Sequence, residues 1–84
     1  MSPDQVFERV REMLVTEFEV PKEQVTLTAQ LGSDLDLDSI DAVTLASRLE
    51  EETGLSLTEE ELKSMRTVQQ VTDWMCSRLE ERSA

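Results

Sequence analysis

Apolar residues recur at helical spacing near the start of the chain. The run Ser2-Pro3-Asp4-Gln5 has the features of a helix N-terminus: a capping serine, a proline suited to the first helical position and a glutamine that can complete a capping box. Pro21 marks the end of this segment. Four residues fall on one helical face at i, i+4, i+7 and i+8: Val6, Val10, Met13 and Leu14. The pattern predicts a first amphipathic helix.

A second amphipathic segment begins near Asp38-Ser39 and continues to about Thr53, where Gly54 is suited to terminate a helix. Its core face is predicted to contain four residues: Ala42, Leu45, Ala46 and Leu49. The preceding residues 21–37 have no sustained period and contain proline, glycine and several aspartates. They predict a long loop that packs on the core through its scattered apolar residues.

Two further capping boxes follow in the second half of the chain. Thr58-Glu59-Glu60-Glu61 predicts a short helix through Leu62 and Met65, and Thr67-Val68-Gln69-Gln70 predicts a last helix. The apolar stripe of that last helix is predicted to contain Val68, Val71, Met75 and Leu79. These elements indicate an all-α fold: a small four-helix bundle with a short third helix and a long loop between helices one and two. Residues 1–84 are too few for two hydrophobic cores, so we expect a single domain.

The charge of the chain restricts its partners. Eight basic against 19 acidic residues give a formal net charge of −11. Nucleic acid and anionic membrane surfaces carry the same sign of charge and are not expected as partners, whereas proteins with basic patches are. Apolar runs are too short for a signal peptide or a membrane span. We therefore expect a monomeric cytoplasmic protein.

Catalytic and metal-binding residue types are scarce. The chain has no histidine and one cysteine, Cys76, which leaves neither a common general base nor a thiolate cage for a metal. The run Asp34-x-Asp36-x-Asp38 imitates the start of an EF-hand, but the sixth and twelfth positions are Ser39 and Leu45 instead of glycine and glutamate. We expect no metal site and no enzyme acting alone.

Ser39 lies at the predicted first turn of the second helix. A serine there can be a plain N-cap, or it can carry a phosphate or phosphodiester, which helix N-termini also stabilise. Ile40 and Val43 fall on a stripe outside the core face of that helix, with acidic residues beside them. An apolar pair surrounded by charge suits a docking surface.

The run Asp38-Ser39-Ile40 resembles the Asp-Ser-Leu signature of acyl carrier proteins. The resemblance covers nearly the whole chain, and the tripeptide has its expected place in the four-helix pattern. Further matching positions are Phe18, Val20, Val25-Thr26, Asp34-Leu35, the runs 49–52 and 55–60, and Thr67-Val68-Gln69.

The resemblance implies a covalent prosthetic group. In this family a Mg²⁺-dependent phosphopantetheinyl transferase attaches 4′-phosphopantetheine from coenzyme A to the signature serine, here Ser39. The thiol of the arm then holds acyl groups as thioesters, and the protein itself is not a catalyst. The implied partners are this transferase and ketosynthases, acyltransferases and related biosynthetic enzymes with basic patches. The implied docking residues are Asp38, Ile40, Asp41, Val43, Glu50, Glu51 and Met65. The implied acyl pocket, which is also core, contains Leu45, Leu49, Leu62 and Val71.

Departures from the family pattern bear on the subtype. Asp36 stands where Gly is frequent before the signature, and Thr53 stands where an aromatic residue is common. The runs 37–43 and 66–71 look more like those of specialised stand-alone carriers from bacterial polyketide or aryl-polyene pathways. Two alternatives remain open: an unmodified acidic helical adaptor, and a peptidyl carrier, which usually has Gly-Gly-His-Ser where this chain has Asp36-Leu37-Asp38-Ser39.

Overall fold

A computed structural model describes residues 2–83 of the chain, with side chains described for residues 2–80. Over this range the chain forms four α-helices: α1 (Pro3–Phe18), α2 (Ser39–Thr53), α3 (Glu59–Ser64) and α4 (Val68–Ser83). One 3₁₀ turn, Lys22–Gln24, interrupts the loop between α1 and α2. The predicted all-α architecture, including the short third helix and the long first loop, is confirmed.

Each of the four helices begins with a reciprocal capping box, in which two side chains satisfy backbone N–H groups that have no partner inside the helix. The four pairs are Ser2–Gln5, Asp38–Asp41, Thr58–Glu61 and Thr67–Gln70. Three of these pairs were predicted from the sequence. The pair at α2 was not, although the predicted start of that helix is correct.

The core is built where the predicted apolar faces meet. α1 packs against α4 and α2, and all four residues predicted for its apolar face are buried. On α2, Leu45 and Leu49 are buried, while the predicted core residues Ala42 and Ala46 are half-buried. On α4, the buried side chains include Val68, Val71 and Met75, and Leu79 is half-buried.

Thr53 completes the core at the end of α2, at the position where the family commonly has an aromatic residue. Its side chain is 0 % exposed. The hydroxyl donates to the carbonyl of Leu49 at 2.8 Å and accepts the N–H of Leu55 at 3.2 Å. The polar atom is therefore satisfied inside the core, so a buried threonine is tolerated here.

The long loop is held in place at both of its faces. Its buried side chains are Val20, Val25, Ala29 and Leu35. Its backbone pairs with the segment between α3 and α4: the Leu31 N–H donates to the Arg66 carbonyl at 2.8 Å, and the Val68 N–H donates to the Ala29 carbonyl at 3.0 Å. These bonds fix the last part of the loop beside the start of α2, where Ser39 lies.

Candidate functional site

Ser39 is the first residue of α2, and its side chain is exposed. The N-cap is Asp38, whose Oδ1 accepts the Asp41 N–H at 2.9 Å, while the Asp38 N–H donates to Asp41 Oδ2 at 3.2 Å. The reading of Ser39 as a plain N-cap is therefore wrong, because a carboxylate fills that role. The Ser39 hydroxyl has no hydrogen-bond partner among the described residues, which leaves it available for modification.

A tight turn leads the chain into α2. Asp36 has a φ of 57°, in the left-handed region that disfavours most side chains. The next N–H, that of Leu37, donates to the Leu31 carbonyl at 3.0 Å and closes the turn. Glycine, which is frequent here in the family that the sequence resembles, adopts this conformation without strain. Aspartate adopts such a conformation more readily than most other non-glycine residues, so the turn forms here with Asp36.

A cavity of about 500 Å³ opens beside Ser39, between the end of the long loop and the helices α2, α3 and α4. This volume lies within the usual range of small-molecule pockets. Its apolar wall consists of Leu31, Leu37, Ala42, Leu45, Leu62, Met65 and Val71. Its polar rim consists of Gln30, Ser33, Asp38, Ser39 and Arg66. The site thus joins a free hydroxyl to an apolar chamber.

The predicted pocket residues divide into two groups. Leu45, Leu62 and Val71 line the cavity. Leu49 is 0 % exposed and packs in the core without lining the cavity. Three of the four residues therefore line the cavity, and the fourth lies in the core of the bundle.

Met65, which the resemblance implied as a docking residue, lies just beyond the end of α3. α3 ends at Ser64, and Met65 follows it as the C-cap, with its N–H bonded to the Leu62 carbonyl at 3.2 Å. The side chain is 8 % exposed and lines the cavity. Met65 therefore belongs to the turn that borders the cavity, and its role in docking stays a prediction.

The apolar part of the predicted docking surface is exposed. Ile40 is 76 % exposed and Val43 is 60 % exposed, although both are large aliphatic residues on the same helix. Leu45 and Leu49, two buried residues of α2, lie on its opposite side. The structure therefore separates a core face of α2 from an outer apolar pair, as the sequence predicted.

The four acidic residues predicted for docking also have bonds within the chain. Asp38 and Asp41 form the capping box of α2. Glu50 accepts the N–H of Leu57 at 3.0 Å and holds the segment that leads to α3. Glu51 forms an ion pair with Arg48 at 2.9 Å. Their charges remain on this side of the molecule, but each carboxylate also supports the local structure.

Glu61 makes contacts with the last helix that were not predicted from the sequence. Only its part in the capping box of α3 was predicted. Glu61 Oε2 accepts the indole N–H of Trp74 at 2.7 Å and forms an ion pair with Arg78. The bond to Arg78, the capping bond to Thr58 and the indole bond together lower the pKa of Glu61 to about 2. No local sequence signal indicates these contacts, because Trp74 and Arg78 belong to a different helix. Glu61 fastens α3, which borders the cavity, to α4.

Cys76 is the one cysteine of the chain, and its surroundings do not activate its thiol. Burial, with the nearby charges of Asp73 and Glu80, raises the pKa of the Cys76 thiol, so this half-buried cysteine is not an activated nucleophile. Within the described residues, no set of three or more His, Cys, Asp or Glu side chains is placed to hold a metal ion. No helix in the same part of the chain is long and apolar enough to cross a membrane.

The fold and the site define a small helical carrier domain, in which a free hydroxyl at a helix start adjoins an apolar chamber. A family model described as the phosphopantetheine attachment site matches residues 8–75. The chain is 35 % identical over 79 residues to an acyl carrier protein of Petrotoga mobilis, covering 94 % of this chain and 93 % of that protein. It is 46 % identical over 68 residues to acyl carrier protein 2 of Ralstonia nicotianae, covering 81 % and 84 %. An acyl carrier protein of Saccharopolyspora erythraea is 37 % identical over 73 residues, covering 87 % and 77 %.

The chain therefore belongs to the acyl carrier protein family, whose members are non-catalytic carriers with covalently attached 4′-phosphopantetheine. They interact with biosynthetic enzymes. The alternative of an unmodified adaptor is not supported, because the matching family model is that of a phosphopantetheine attachment site.

Proposed function

We propose that Ser39 carries the 4′-phosphopantetheine arm, and that the chain presents acyl thioesters on this arm to biosynthetic enzymes of fatty-acid or polyketide type. The observation that carries the proposal is the free, exposed hydroxyl of Ser39 at the first turn of α2, where Asp38 and not Ser39 does the capping. A serine whose hydroxyl does not cap its own helix can be esterified without loss of a capping bond.

The surroundings of Ser39 fit the phosphodiester that would attach there. The backbone N–H groups of Ser39 and Ile40 have no hydrogen-bond partner among the described residues, and they lie at the positive end of the α2 dipole. In the attachment reaction, Ser39 Oγ would form a bond to the pantetheine-side phosphorus of coenzyme A, while the phosphoanhydride bond of coenzyme A breaks and adenosine 3′,5′-bisphosphate leaves. The proton of the Ser39 hydroxyl would pass to a base of the transferase, since this chain has no histidine.

The arm would contribute a reactive thiol, and the cavity would contribute an apolar surface for the acyl chain. When bound, the arm supplies the thiol that holds the acyl group, a role that the deactivated Cys76 does not suit. The cavity beside Ser39 offers Leu45, Leu62 and Val71 to an apolar acyl chain. Such burial removes apolar surface from water and protects the thioester while the carrier moves between enzymes.

Partner enzymes are proposed to dock on the outer side of α2. Ile40 and Val43 supply exposed apolar contacts, and Asp38, Asp41, Glu50 and Glu51 supply negative charge around them. Basic patches on the transferase, ketosynthase or acyltransferase would be steered to this surface, which raises association rates without requiring long-lived complexes. Because the reactions use coenzyme A and acyl-transfer enzymes, we place them in the cytoplasm.

For the pathway, we propose a specialised stand-alone carrier of polyketide or aryl-polyene type. The support is the sequence of the runs 37–43 and 66–71, and the polar Ser47 and Arg48 where fatty-acid carriers usually have apolar residues. The intact mass of the chain purified from its native source tests this assignment, because the attached acyl group identifies the chemistry it serves. A saturated unbranched acyl group as the main species would contradict it.

The function itself is tested by incubating the purified chain with coenzyme A and a broad-specificity phosphopantetheinyl transferase. We expect the intact mass to rise by one phosphopantetheine group. A mass that stays unchanged, under conditions where a known carrier is fully modified, would instead support an acidic adaptor.

A further inference from the structure

Arg66 stands apart from the other arginines of this acidic chain. The chain has 19 acidic residues, and four of the five arginines with described side chains form ion pairs with carboxylates: Arg9, Arg11, Arg48 and Arg78. The Arg66 guanidinium has no hydrogen-bond or ion-pair partner among the described residues. An unpaired cation in a molecule with so many carboxylates is available for a ligand that is not part of the chain.

Two hydrogen bonds hold the backbone of Arg66 in place. Its N–H donates to Gln70 Oε1 at 2.7 Å, and its carbonyl accepts the Leu31 N–H at 2.8 Å. The backbone is thus fixed between the start of α4 and the long loop, while the side chain is exposed. Arg66 lines the same cavity as Ser39, so the two residues border one opening.

No other positively charged residue is found among the described residues that line this opening. Among the residues that the structure describes, Asp38 is the one acidic residue that lines the cavity, and its Oδ1 already accepts the Asp41 N–H. Gln30 and Ser33, the other polar residues of the rim, are uncharged and bond to each other at 2.8 Å. A phosphodiester on Ser39 would add a negative charge beside the one cation of this rim.

We propose that Arg66 binds the phosphodiester of the arm attached to Ser39, across the mouth of the cavity. The inference rests on the proposed function, since it requires the arm to be on Ser39. Guanidinium groups bind phosphate oxygens through charge-assisted and often paired hydrogen bonds. The contact directs the first part of the arm towards Leu62 and Met65 and away from the docking pair Ile40 and Val43. Arg66 is a positioning residue for the arm.

The holo-protein with a free thiol is the suitable sample, because its only added anion is the phosphodiester. ¹⁵N NMR of the arginine Nε–Hε groups should show the Arg66 resonance moving between apo- and holo-protein, with those of Arg9 and Arg48 unchanged. The Arg66 shift should shrink at 0.5 M NaCl, since the contact is exposed to solvent. Arg66→Gln should narrow the ³¹P line of the arm relative to that of the wild-type holo-protein, and Arg66→Lys should narrow it less. Lys22→Gln is the control, because it removes a cation that does not line the cavity, and it should leave the ³¹P line width unchanged.

The outcomes separate this inference from the proposed function. If the intact mass shows no arm on Ser39, the proposed function fails before Arg66 is tested. If the arm is fully attached and neither the Arg66 resonance nor the ³¹P line width of Arg66→Gln changes, the arm does not contact Arg66. A shift of Arg66 that requires an acidic acyl group on the thiol would also overturn the inference, because the ligand would then be the cargo and not the phosphodiester.

Discussion

Asp38 and Asp41 bond to each other's backbone across the first turn of α2, with the Asp41 N–H 2.9 Å from Asp38 Oδ1 and the Asp38 N–H 3.2 Å from Asp41 Oδ2. Because these two aspartates cap the helix, the Ser39 hydroxyl is not needed as a cap, and two negative charges lie near it. The same carboxylates therefore shape the helix start and contribute to the proposed docking surface. Substitutions must separate the two roles.

The capping role can be measured through the stability of the fold. Asp38→Ala should lower the free energy of unfolding by about 1 kcal/mol, because the Asp41 N–H loses its acceptor. Asp38→Ser restores an acceptor oxygen without the charge and should stay close to the wild type in a urea titration. Equal stability of Asp38→Ala and wild type would show that the bond contributes nothing.

The charge role can be measured with the same serine variant. Asp38→Ser should slow transfer of the arm chiefly by weakening the apparent affinity for the transferase, and the loss should be greater at low salt. Asp41→Lys should slow it further, because it reverses a charge and also opens the capping box. A rate for Asp38→Ser that matches the wild type at every salt concentration would argue against steering by this carboxylate.

The two faces of α2 should respond differently to truncation. Leu49 is fully buried, so Leu49→Ala should cost roughly 2–5 kcal/mol of stability. Val43 is 60 % exposed, so Val43→Ala should change stability by less than about 0.5 kcal/mol while weakening partner binding. Urea denaturation and a binding assay on both variants provide the comparison. If Val43→Ala is as destabilising as Leu49→Ala, the assignment of the faces is wrong.

The contacts of Glu61 should make the free energy of unfolding depend on pH. Its folded pKa of about 2 lies below the ordinary value of 4.5, so its stabilising effect is complete above about pH 5 and is lost as the pH falls towards 2. Glu61→Gln should therefore be less stable than the wild type by about 1–2 kcal/mol at pH 7, and this difference should shrink with falling pH. Unfolding can be followed by the fluorescence of Trp74, the single tryptophan. A difference that stays constant from pH 7 to pH 2.5 would mean that ionised Glu61 is not responsible.

The net charge of −11 should also limit stability through self-repulsion. Added salt or millimolar divalent cations should raise the Tm by a few degrees, since about 1 kcal/mol corresponds to roughly 4–8 °C in a domain of this size. Differential scanning calorimetry across such a titration measures the effect. An unchanged or lower Tm would show that repulsion among the carboxylates is not significant.

Local sequence patterns were sufficient for the helices, because capping boxes and apolar spacing act within a few residues. Ser2 with Gln5 and Thr58 with Glu61 mark helix starts that the structure confirms. The local pattern placed Ser39 at a helix start, and α2 begins there. The free state of its hydroxyl did not follow from the sequence, since serine and aspartate are both good N-caps.

Contacts between distant segments were beyond the sequence. Glu61 meets Trp74 and Arg78 across 13 and 17 positions, so no periodic pattern connects them. The third helix was predicted to run through Met65, whereas it ends at Ser64. Helix ends are set by tertiary packing as much as by propensity, so the predicted end was one residue too far along the chain.

The attachment of the arm to Ser39 is the central claim, and one measurement tests it most directly. Wild type, Ser39→Ala and Ser33→Ala are incubated with coenzyme A and a broad-specificity transferase, and their intact masses are compared. Ser33 is the matched control, because it is a second exposed serine that lines the same cavity. We predict one phosphopantetheine group on wild type and Ser33→Ala, and none on a Ser39→Ala variant of unchanged helicity. A modified Ser39→Ala protein would place the arm elsewhere and contradict the account.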